Sequence, residues 1–275
     1  MAQLTAIKLM LFSLLLVIKS YDCQFVLTRD LLKQWLMVTE EQLFQQSTIN
    51  LAQKLIASID PQTFKGLTNL NSLNISFNMI NTIDPQTFNG LTNLNYLGLY
   101  GNQLVKIDPQ TFKGLTNLNF LGLFGNQIRT FDPHTFNDLK NLKYLGLSYN
   151  PLIKIEPLTF KSLTNLEKLD YFNGMFIQPL DNQTFAGLVN LKYLDISINQ
   201  LDTMDSQTFN DLKSLETLHL DGNYLFTIQN STFSSLYKTR IYLNNNPICT
   251  DNPYLVALSL TKQQCSVSLC TVFCM

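Results

Sequence analysis

The chain has 275 residues, of which 45% are apolar and only 14% are charged, with 19 Lys and Arg against 20 Asp and Glu. A disordered polyelectrolyte needs low hydrophobicity and high net charge, so this composition excludes that class. Nucleic-acid-binding domains usually carry a basic stripe, whereas neither sign of charge forms a run here. We therefore expect an ordered protein that does not bind nucleic acid.

The first 20 residues have the pattern of a targeting segment. Lys8 precedes the apolar run Leu9–Ile18. Such a run makes a helix of about 15 Å, half of what a bilayer span requires, so a signal peptide over residues 1–20 is favoured over a membrane anchor or a buried helix. Cleavage is expected after Ser20. The best later candidate for a membrane span, Tyr254–Leu260, is too short, so we expect a secreted product without an anchor.

The rest of the chain repeats with a period of 24 residues. A phenylalanine recurs at this interval, with one interval of 25, at Phe64, Phe88, Phe112, Phe136, Phe160, Phe185, Phe209 and Phe233. An asparagine keeps the same phase at Asn78, Asn102, Asn126, Asn150, Asn199 and Asn223. Leucines precede each asparagine, as Leu94, Leu97 and Leu99 precede Asn102. The motif L-x-x-L-x-L-x-x-N resembles the leucine-rich repeat family in its 24-residue extracellular form, over residues 46–250.

This resemblance implies an α/β repeat fold, a leucine-rich repeat solenoid of about nine coils. It has the shape of a horseshoe with a parallel β-sheet on its concave face. In each strand the alternation L-x-L directs two leucines inward. The asparagine comes where the chain leaves the strand, and its amide can bond backbone groups of its own and the adjacent coil. The phenylalanine is expected on the convex side, and the coils stabilise one another as a one-dimensional array.

Two coils depart from the pattern. The coil Leu166–Phe185 has Gly174 at the asparagine position and one extra residue after it, which predicts a local bulge. The first coil, Gln46–Asn69, has Lys54 at that position and is expected to be a capping-side repeat. The expected organisation is a signal peptide over 1–20, an N-terminal cap over 21–45, leucine-rich repeats over 46–248 and a cysteine-containing C-terminal cap over 249–275.

The segment before the first coil has helical spacing of apolar residues. The positions concerned predict an amphipathic helix that covers the first coil; they are Leu27, Leu31, Leu32, Trp35 and Leu36. Cys23 precedes this segment and stays an odd cysteine. Three states of Cys23 remain open: an unpaired thiol, an intermolecular disulfide bond, or a disulfide bridge toward the first coil.

The other four cysteines follow the last repeat. Cys249, in the sequence Asn-Pro-Ile-Cys, begins a segment similar to the cysteine-capped C-terminal flank of extracellular leucine-rich repeat proteins. The usual tryptophan and Cys-x-Cys pair of that flank are absent. The disulfide candidates are Cys249, Cys265, Cys270 and Cys274, and all three pairings remain open. Their spacing, with no nearby histidine, is unsuited to zinc, so no metal site is expected.

The sequence gives no indication of catalysis. Its two histidines are His134, which replaces a glutamine of the convex segment, and His219, which is followed by Asp221. Nucleophilic catalysis needs an activated Ser or Cys beside an oriented base, and no such signature accompanies His219. Phosphate-binding, dinucleotide-binding and calcium-binding motifs are also missing. We predict a protein that is not an enzyme and has no cofactor.

The residues that flank the strand leucines point outward on the concave face. The expected ligand-binding residues are the aromatic members of this set, namely Tyr96, Tyr100, Phe120, Phe124, Tyr144, Phe172 and Tyr193. Exposed apolar patches usually mark interaction sites, and rigid aromatic rings are enriched in interfaces. Glycines lie between the rings in three successive coils, at Gly98, Gly122 and Gly146. The alternative is that the rings pack along the ladder and fill the glycine gaps.

Three sequons agree with secretion, at Asn74, Asn182 and Asn230. The functional hypothesis is a secreted, extracellular glycoprotein with disulfide bonds that binds a protein ligand through its concave sheet, in recognition, matrix assembly or innate immunity. This step is an analogy at the level of the fold. The alternatives are a structural matrix component that self-associates as a homo-oligomer, and the recognition fragment of a larger receptor.

Overall fold

The computed structural model describes residues 25–174 and 180–249. The expected signal peptide and Cys23 lie outside this part of the chain, as does most of the expected bulge after Gly174. Outside it as well are Cys265, Cys270 and Cys274. In chain order the elements are β1 (Phe25–Leu27), α1 (Arg29–Leu36), α2 (Glu40–Phe44), β2 (Thr48–Asn50), β3 (Ile56–Ile59), β4 (Ser72–Asn74), β5 (Tyr96–Gly98), β6 (Phe120–Gly122), β7 (Tyr144–Gly146), β8 (Lys168–Asp170), β9 (Tyr193–Asp195), β10 (Thr217–His219), β11 (Arg240–Tyr242) and a short 3-10 turn at Pro247–Cys249.

One parallel sheet runs through the whole solenoid. Its nine strands lie in chain order without a crossover, from β2 through β4–β11, and each strand pairs with its neighbour in register. Leu97, for example, pairs with Leu73 on one side and Leu121 on the other. The middle residue of each of these nine strands is buried, because L-x-L alternation turns it inward. The predicted leucine-rich repeat solenoid with a parallel sheet is confirmed.

A ladder of buried asparagines joins the coils where the chain leaves the strands. In Asn102, Nδ2 donates to the carbonyl oxygen of Leu99 at 2.9 Å and to that of Ile75, in the preceding coil, at 3.1 Å. Its Oδ1 accepts from the backbone N–H of Ile80 at 3.2 Å. The predicted bonding to both coils is therefore present. At the irregular coil the backbone N–H of Gly174 still donates to Asn199 Oδ1, at 3.1 Å.

The convex side is built from turns and stacked phenylalanine rings. Neighbouring rings lie 6.0–6.4 Å apart in the pairs that stack, as Phe112 does on Phe136. In the described convex segments the backbone forms turns, so the helices implied by the α/β designation are not seen there. The reason is local: Asp108 Oδ1 accepts from the N–H of Gln110 at 2.8 Å, an Asx-type turn that competes with helix formation.

The N-terminal flank differs from the expected single helix, because it begins with a strand and contains a second short helix, α2. Leu27 belongs to β1, which pairs in parallel with β3 and places Leu27 opposite Ile59. Thr28 explains the difference, because its extended backbone and its side chain, which accepts from the N–H of Leu31, cap the helix that follows. The helix α1 therefore begins at Arg29. Its residue Leu32 is fully buried in the hydrophobic core.

Candidate functional site

Over the six coils of strands β5–β10 the concave face presents three rows of residues, with one residue of each row in each coil. The first row begins each strand and consists of Tyr96, Phe120, Tyr144, Lys168, Tyr193 and Thr217. The middle row ends each strand and consists of Gly98, Gly122, Gly146, Asp170, Asp195 and His219. The third row comes two residues later and consists of Tyr100, Phe124, Ser148, Phe172, Ser197 and Asp221.

The first row is a continuous stack. The Phe120 ring lies 4.5 Å from Tyr96 and 4.6 Å from Tyr144, with interplanar angles of 11° and 4°. Lys168 extends the stack, since its ammonium group lies 5.6 Å from the centre of the Tyr144 ring and 4.5 Å from that of Tyr193. Parallel strands repeat at about 4.8 Å, so in-register rings reach stacking distance automatically. The row is thereby held rigid.

The third row stacks in its N-terminal part. The rings of Tyr100 and Phe124 lie 4.4 Å apart at an interplanar angle of 9°. Phe77, in the preceding coil, packs edge-on against Tyr100 at 5.2 Å. Phe172 stands apart from this pair and contacts Tyr149 edge-on at 4.9 Å.

The glycines of the middle row are required by these rings. A Cβ atom on Gly122 would lie 2.9 Å from Tyr100 Cδ1 and 3.1 Å from Phe120 Cε1. Cβ atoms added to Gly98 and Gly146 would lie 3.1–3.2 Å from atoms of the neighbouring rings. The rings therefore lean over the glycines and fill the gaps, as the packing alternative anticipated. Because the rings pack face to face within each row, the surface left to solvent includes ring edges and, in the tyrosines, hydroxyl groups.

Carboxylates replace the glycines in the C-terminal half of the middle row. Asp170 Oδ2 accepts from the Tyr144 hydroxyl at 2.7 Å and lies 3.3 Å from the Lys168 ammonium group. Asp195 Oδ1 accepts from the Ser197 hydroxyl at 2.6 Å. These contacts give the C-terminal half of the face a polar character and fixed side chains.

The end of the sheet continues this polar half. His219 Nδ1 lies 3.0 Å from Asp221 Oδ2, and its ring stacks on Tyr242 at 4.4 Å and 3°. Asp221 Oδ1 also accepts from Asn244, from both its backbone N–H and its side chain, at 3.0 Å. The imidazole is therefore oriented by a carboxylate on one side and an aromatic ring on the other.

The environment of the concave tyrosines shifts their pKa values. Burial, together with the hydrogen bond to Asp170, raises the pKa of Tyr144 well above its ordinary value. Burial likewise raises the pKa of Tyr96 and of Tyr193. The hydrogen bond with Ser76 lowers the pKa of Tyr100. At neutral pH Tyr96, Tyr144 and Tyr193 therefore present neutral hydroxyl groups.

The structure places all seven predicted ligand-binding residues on one sheet face, each half-buried. In the first row, Tyr96, Phe120 and Tyr144 stack on one another, and Lys168 connects them to Tyr193. In the third row, Tyr100 stacks on Phe124. Sequence reasoning missed Phe77, Tyr149 and Tyr242, which contact these rows from the turns and from the last strand. An aromatic residue directly before the ladder position, as at Phe77 and Tyr149, is the signal that was available for the first two.

Other predicted positions lie away from this face or at its N-terminal end. Asn182 and Asn230 are exposed in turns, whereas Asn74 ends β4 and its Oδ1 accepts from the backbone N–H of Ser76 at 3.1 Å. Cys249 Sγ donates to the carbonyl oxygen of Leu243 at 3.1 Å. His134 is exposed on the convex side. Within residues 25–174 and 180–249 no helix has the length and apolar character of a membrane span, and no cluster of three or more metal-ligating side chains occurs.

Solved structures with the same fold include several receptor and assembly components. The TLR13–ssRNA13 complex matches with 32% identity and a TM-score of 0.63, over 70% of this chain and 28% of that chain. The Drosophila Toll–Spatzle complex matches with 24% identity and a TM-score of 0.60, over 72% and 32%. The Leptospira interrogans protein LIC12759 matches with 23% identity and a TM-score of 0.56, over 73% and 55%. The chain thus spans between about a quarter and a little over half of these proteins.

No curated protein matches the chain. The family model described as "Leucine rich repeat" matches residues 47–104, 81–128, 99–152 and 172–225, which together make up more than half of the chain. These matches cover most of the coils that carry the asparagine ladder and the three concave rows, although Lys168 and Asp170 lie between two matched ranges. The chain belongs to the leucine-rich repeat family.

Proposed function

We propose that this chain is a secreted protein that binds a protein ligand through the concave sheet. The observation that carries the proposal is the continuous first-row stack, in which Phe120 and Lys168 join three tyrosines over five coils. Tyrosine and phenylalanine supply large contact area and are enriched at the centres of protein interfaces. Here they are collected on one open surface.

The rigidity of this surface favours binding. Stacking fixes the rings, and hydrogen bonds fix the polar groups beside them, as with the Tyr144 hydroxyl on Asp170. Association normally costs about 0.5–1.5 kcal/mol for each rotamer-rich side chain that becomes immobilised. A surface that is already ordered avoids much of that cost, so a ligand that fits the ring edges and hydroxyl groups gains affinity.

The charges on the face favour a protein over a nucleic acid. Three carboxylates, on Asp170, Asp195 and Asp221, lie in its C-terminal half, where they would repel phosphate groups. Among the proteins of similar fold, TLR13 forms a complex with ssRNA13. Toll forms a complex with Spatzle, and FLRT2 forms an octameric complex with Latrophilin 3 and Unc5D. Binding of a protein ligand agrees with the latter two complexes.

A second candidate is the recognition part of a longer receptor. It is favoured by length, because the chain spans 28% of the TLR13 chain and 32% of the Toll chain that it matches. The concave face would serve the same purpose in both cases. The third hypothesis is a structural matrix component that self-associates. It predicts that the purified chain forms a disulfide-linked or concentration-dependent oligomer.

Secretion is part of the proposal. The apolar run Leu9–Ile18 after Lys8, the sequons at Asn74, Asn182 and Asn230, and the cysteines after the last coil all support an extracellular environment. An N-terminal cap over 21–45 and a disulfide-stapled C-terminal cap over 249–275 belong to the same proposal, because exposed leucines at both ends of a solenoid need cover.

The test uses the purified full-length chain as bait for extracellular proteins, with captured ligands identified by mass spectrometry. The first variant combines Tyr100→Ala, Phe124→Ala and Phe172→Ala. The second is Thr217→Arg, which adds bulk and charge to the first row without removing a ring. Gln110→Ala with His134→Ala serves as the convex control.

Both concave variants are expected to lose a ligand that the wild type and the control retain, at a temperature where melting curves show all four proteins folded. A captured ligand that binds all four proteins equally would contradict concave binding. Capture of RNA in place of protein would contradict the proposal that the ligand is a protein.

A further inference from the structure

A polar groove runs along the flank where the chain enters the strands. It has a volume of about 900 Å³. Two residues of each coil line it, two positions apart, and they form an upstream and a downstream row. The upstream row consists of Asn69, Asn93, Asn117, Asn141, Asn165 and Asn190, and the downstream row of Asn71, Asn95, Asn119, Lys143, Glu167 and Lys192.

Each amide of the upstream row is held in one orientation. Nδ2 of Asn93 donates to the carbonyl oxygen of Thr68 at 2.8 Å, and Nδ2 of Asn117 donates to that of Thr92 at 2.9 Å. The other four asparagines repeat this bond at 2.8–3.0 Å. No donor among the described residues reaches their Oδ1 atoms. The groove therefore presents a row of fixed, unused acceptor oxygens, one in each coil.

The downstream row supplies amides with both donor and acceptor capacity. The Asn95 side chain makes no hydrogen bond within the described part of the chain. Asn71 and Asn119 make only long bonds to backbone carbonyl oxygens, at 3.5 Å and 3.4 Å. Such groups in a groove are solvated and are available to a ligand.

The groove carries little net charge, because its charged lining residues are Lys143, Glu167 and Lys192, which sum to +1. Its first three coils carry only asparagines. In the next coils Glu167 lies 3.8 Å from the Lys143 ammonium group and 2.8 Å from that of Lys192, so the two lysines share one carboxylate. An anionic polymer gains little from such a lining, whereas a ligand with uncharged hydroxyl groups matches it.

The spacing of the amides identifies the form of the ligand. Neighbouring coils are about 4.8 Å apart, so the groove repeats its donors and acceptors at that distance. An extended peptide advances about 3.3 Å per residue, and its polar groups fall out of register with such a lining. A pyranose ring in a straight sugar chain advances by close to one coil. Each hydroxyl group of the ring both donates and accepts, which is what an asparagine pair offers.

We propose that this groove binds a neutral, linear glycan, with one sugar ring for each coil. The inference is separate from the concave-face proposal, because the rows that line the groove contribute nothing to the ring stacks. The upstream amides, already fixed by the preceding coil, accept from the sugar hydroxyl groups. The downstream amides complete each contact as donors and acceptors.

The test measures binding of the full-length chain to defined oligosaccharides by calorimetry or ligand-observed NMR. The probes are straight, β-1,4-linked oligomers of glucose, mannose and N-acetylglucosamine of increasing length, with heparin oligosaccharides and an unrelated peptide as comparisons. The groove variant combines Asn71→Ala, Asn95→Ala and Asn119→Ala, which leaves the upstream bonds in place. The matched control combines Asn89→Ala with Asn210→Ala, two exposed asparagines on the convex side.

At least one neutral oligomer is expected to bind with an affinity that rises with each added ring. The groove variant should bind it at least about tenfold more weakly, while the control is unchanged. Binding of none of the neutral oligomers would overturn the proposal, as would equal binding by the groove variant. Binding of heparin or the peptide alone would also overturn it, in favour of a charged or peptide ligand. Melting curves of all three proteins show whether the groove variant is folded.

Discussion

The backbone N–H of Leu104 donates a hydrogen bond of 3.1 Å to the side-chain Oδ1 of Asn126, 22 residues later in the next coil. The Nδ2 of the same amide donates to the carbonyl oxygen of Leu99 at 3.1 Å and to that of Leu123 at 2.8 Å. One buried side chain thus satisfies three backbone groups in two coils. Coupling between coils therefore rests on specific hydrogen bonds as well as on the leucine core.

Replacing this amide is expected to destabilise the solenoid strongly. Asn126→Ala leaves the buried N–H of Leu104 without a partner, which costs about 1–3 kcal/mol. The carbonyl oxygens of Leu99 and Leu123 each lose one of two bonds, since Asn102 and Asn150 still donate to them. Together with the two lost bonds, this should lower the free energy of unfolding by about 2 kcal/mol or more, measured by urea denaturation. Asn89→Ala, at an exposed convex position, should change it by less than about 0.5 kcal/mol. Equal losses in the two variants would show that the ladder does not couple the coils.

The glycines under the concave rings give a second prediction. Gly122→Ala places a methyl group 2.9 Å from Tyr100 Cδ1, so the ring must move and the stack on Phe124 is disturbed. Overpacking of this kind costs about 1–3 kcal/mol. In a Tyr100→Ala background the same change should cost much less, because the clashing ring is gone. A double-mutant cycle of unfolding free energies measures this coupling, and additive effects would contradict it.

Much of the fold follows from the sequence because the same leucine and asparagine motif recurs in successive coils. The phase of Asn102 is fixed by the same motif in the coils around it, and the positions of the inward leucines follow. The set of outward residues on the concave face followed from the same phase. The contacts of each ring did not follow from the sequence. The stacking of Tyr96 on Phe120 depends on the register of neighbouring strands and on side-chain orientation.

Two further features could not be predicted from the sequence, namely the strand that contains Leu27 and the groove formed by the two asparagine rows. Leu27 fits the helical spacing of its segment, yet β3 offers a backbone partner and Thr28 caps the helix after it. The asparagine of the upstream row, such as Asn93, recurs in the sequence as plainly as the ladder asparagine. Its alignment with the downstream row into one groove becomes apparent only when the coils are stacked.

The turn before each ladder asparagine gives a third prediction. Ile198 has a left-handed backbone with φ 51°, at the position that Gly101, Gly125 and Gly222 occupy in other coils. A β-branched residue is strained there by about 1–2 kcal/mol, whereas asparagine tolerates the conformation and occupies the same position at Asn173. Because the Ile198 side chain is 56% exposed, Ile198→Asn is expected to raise the free energy of unfolding by about 1 kcal/mol.

Val105→Asn is the matched control for this change. Val105 is 50% exposed and has no left-handed backbone to relieve, so the variant should be neutral or slightly less stable. If the two substitutions change thermal stability equally, the gain at Ile198 comes from replacing an exposed apolar side chain with a polar one, and the strain argument is wrong.

The tyrosines give a fourth prediction, for alkaline pH. Burial and the bond to Asp170 hold the pKa of Tyr144 in the folded chain above its value of about 10 in the unfolded chain. The folded state therefore keeps a proton that the unfolded state loses, and stability must fall as pH rises above about 10. Tyr144→Phe should reduce this loss, as followed by chemical denaturation at increasing pH. An unchanged pH dependence in the variant would show that Tyr144 does not contribute.

Export gives the last prediction, because the ligand and disulfide proposals both depend on it. Expressed in a secretory cell line, the chain should appear in the medium with Tyr21 at its N-terminus, as read by mass spectrometry. Glycosidase treatment should increase its gel mobility. Changing Asn74, Asn182 or Asn230 to glutamine should each remove one step of that shift, whereas Asn89→Gln, outside any sequon, should remove none. Retention in the cytosol with Met1 in place would refute the signal peptide. It would also refute the disulfide-stapled C-terminal cap, because cytosolic thiols are kept reduced.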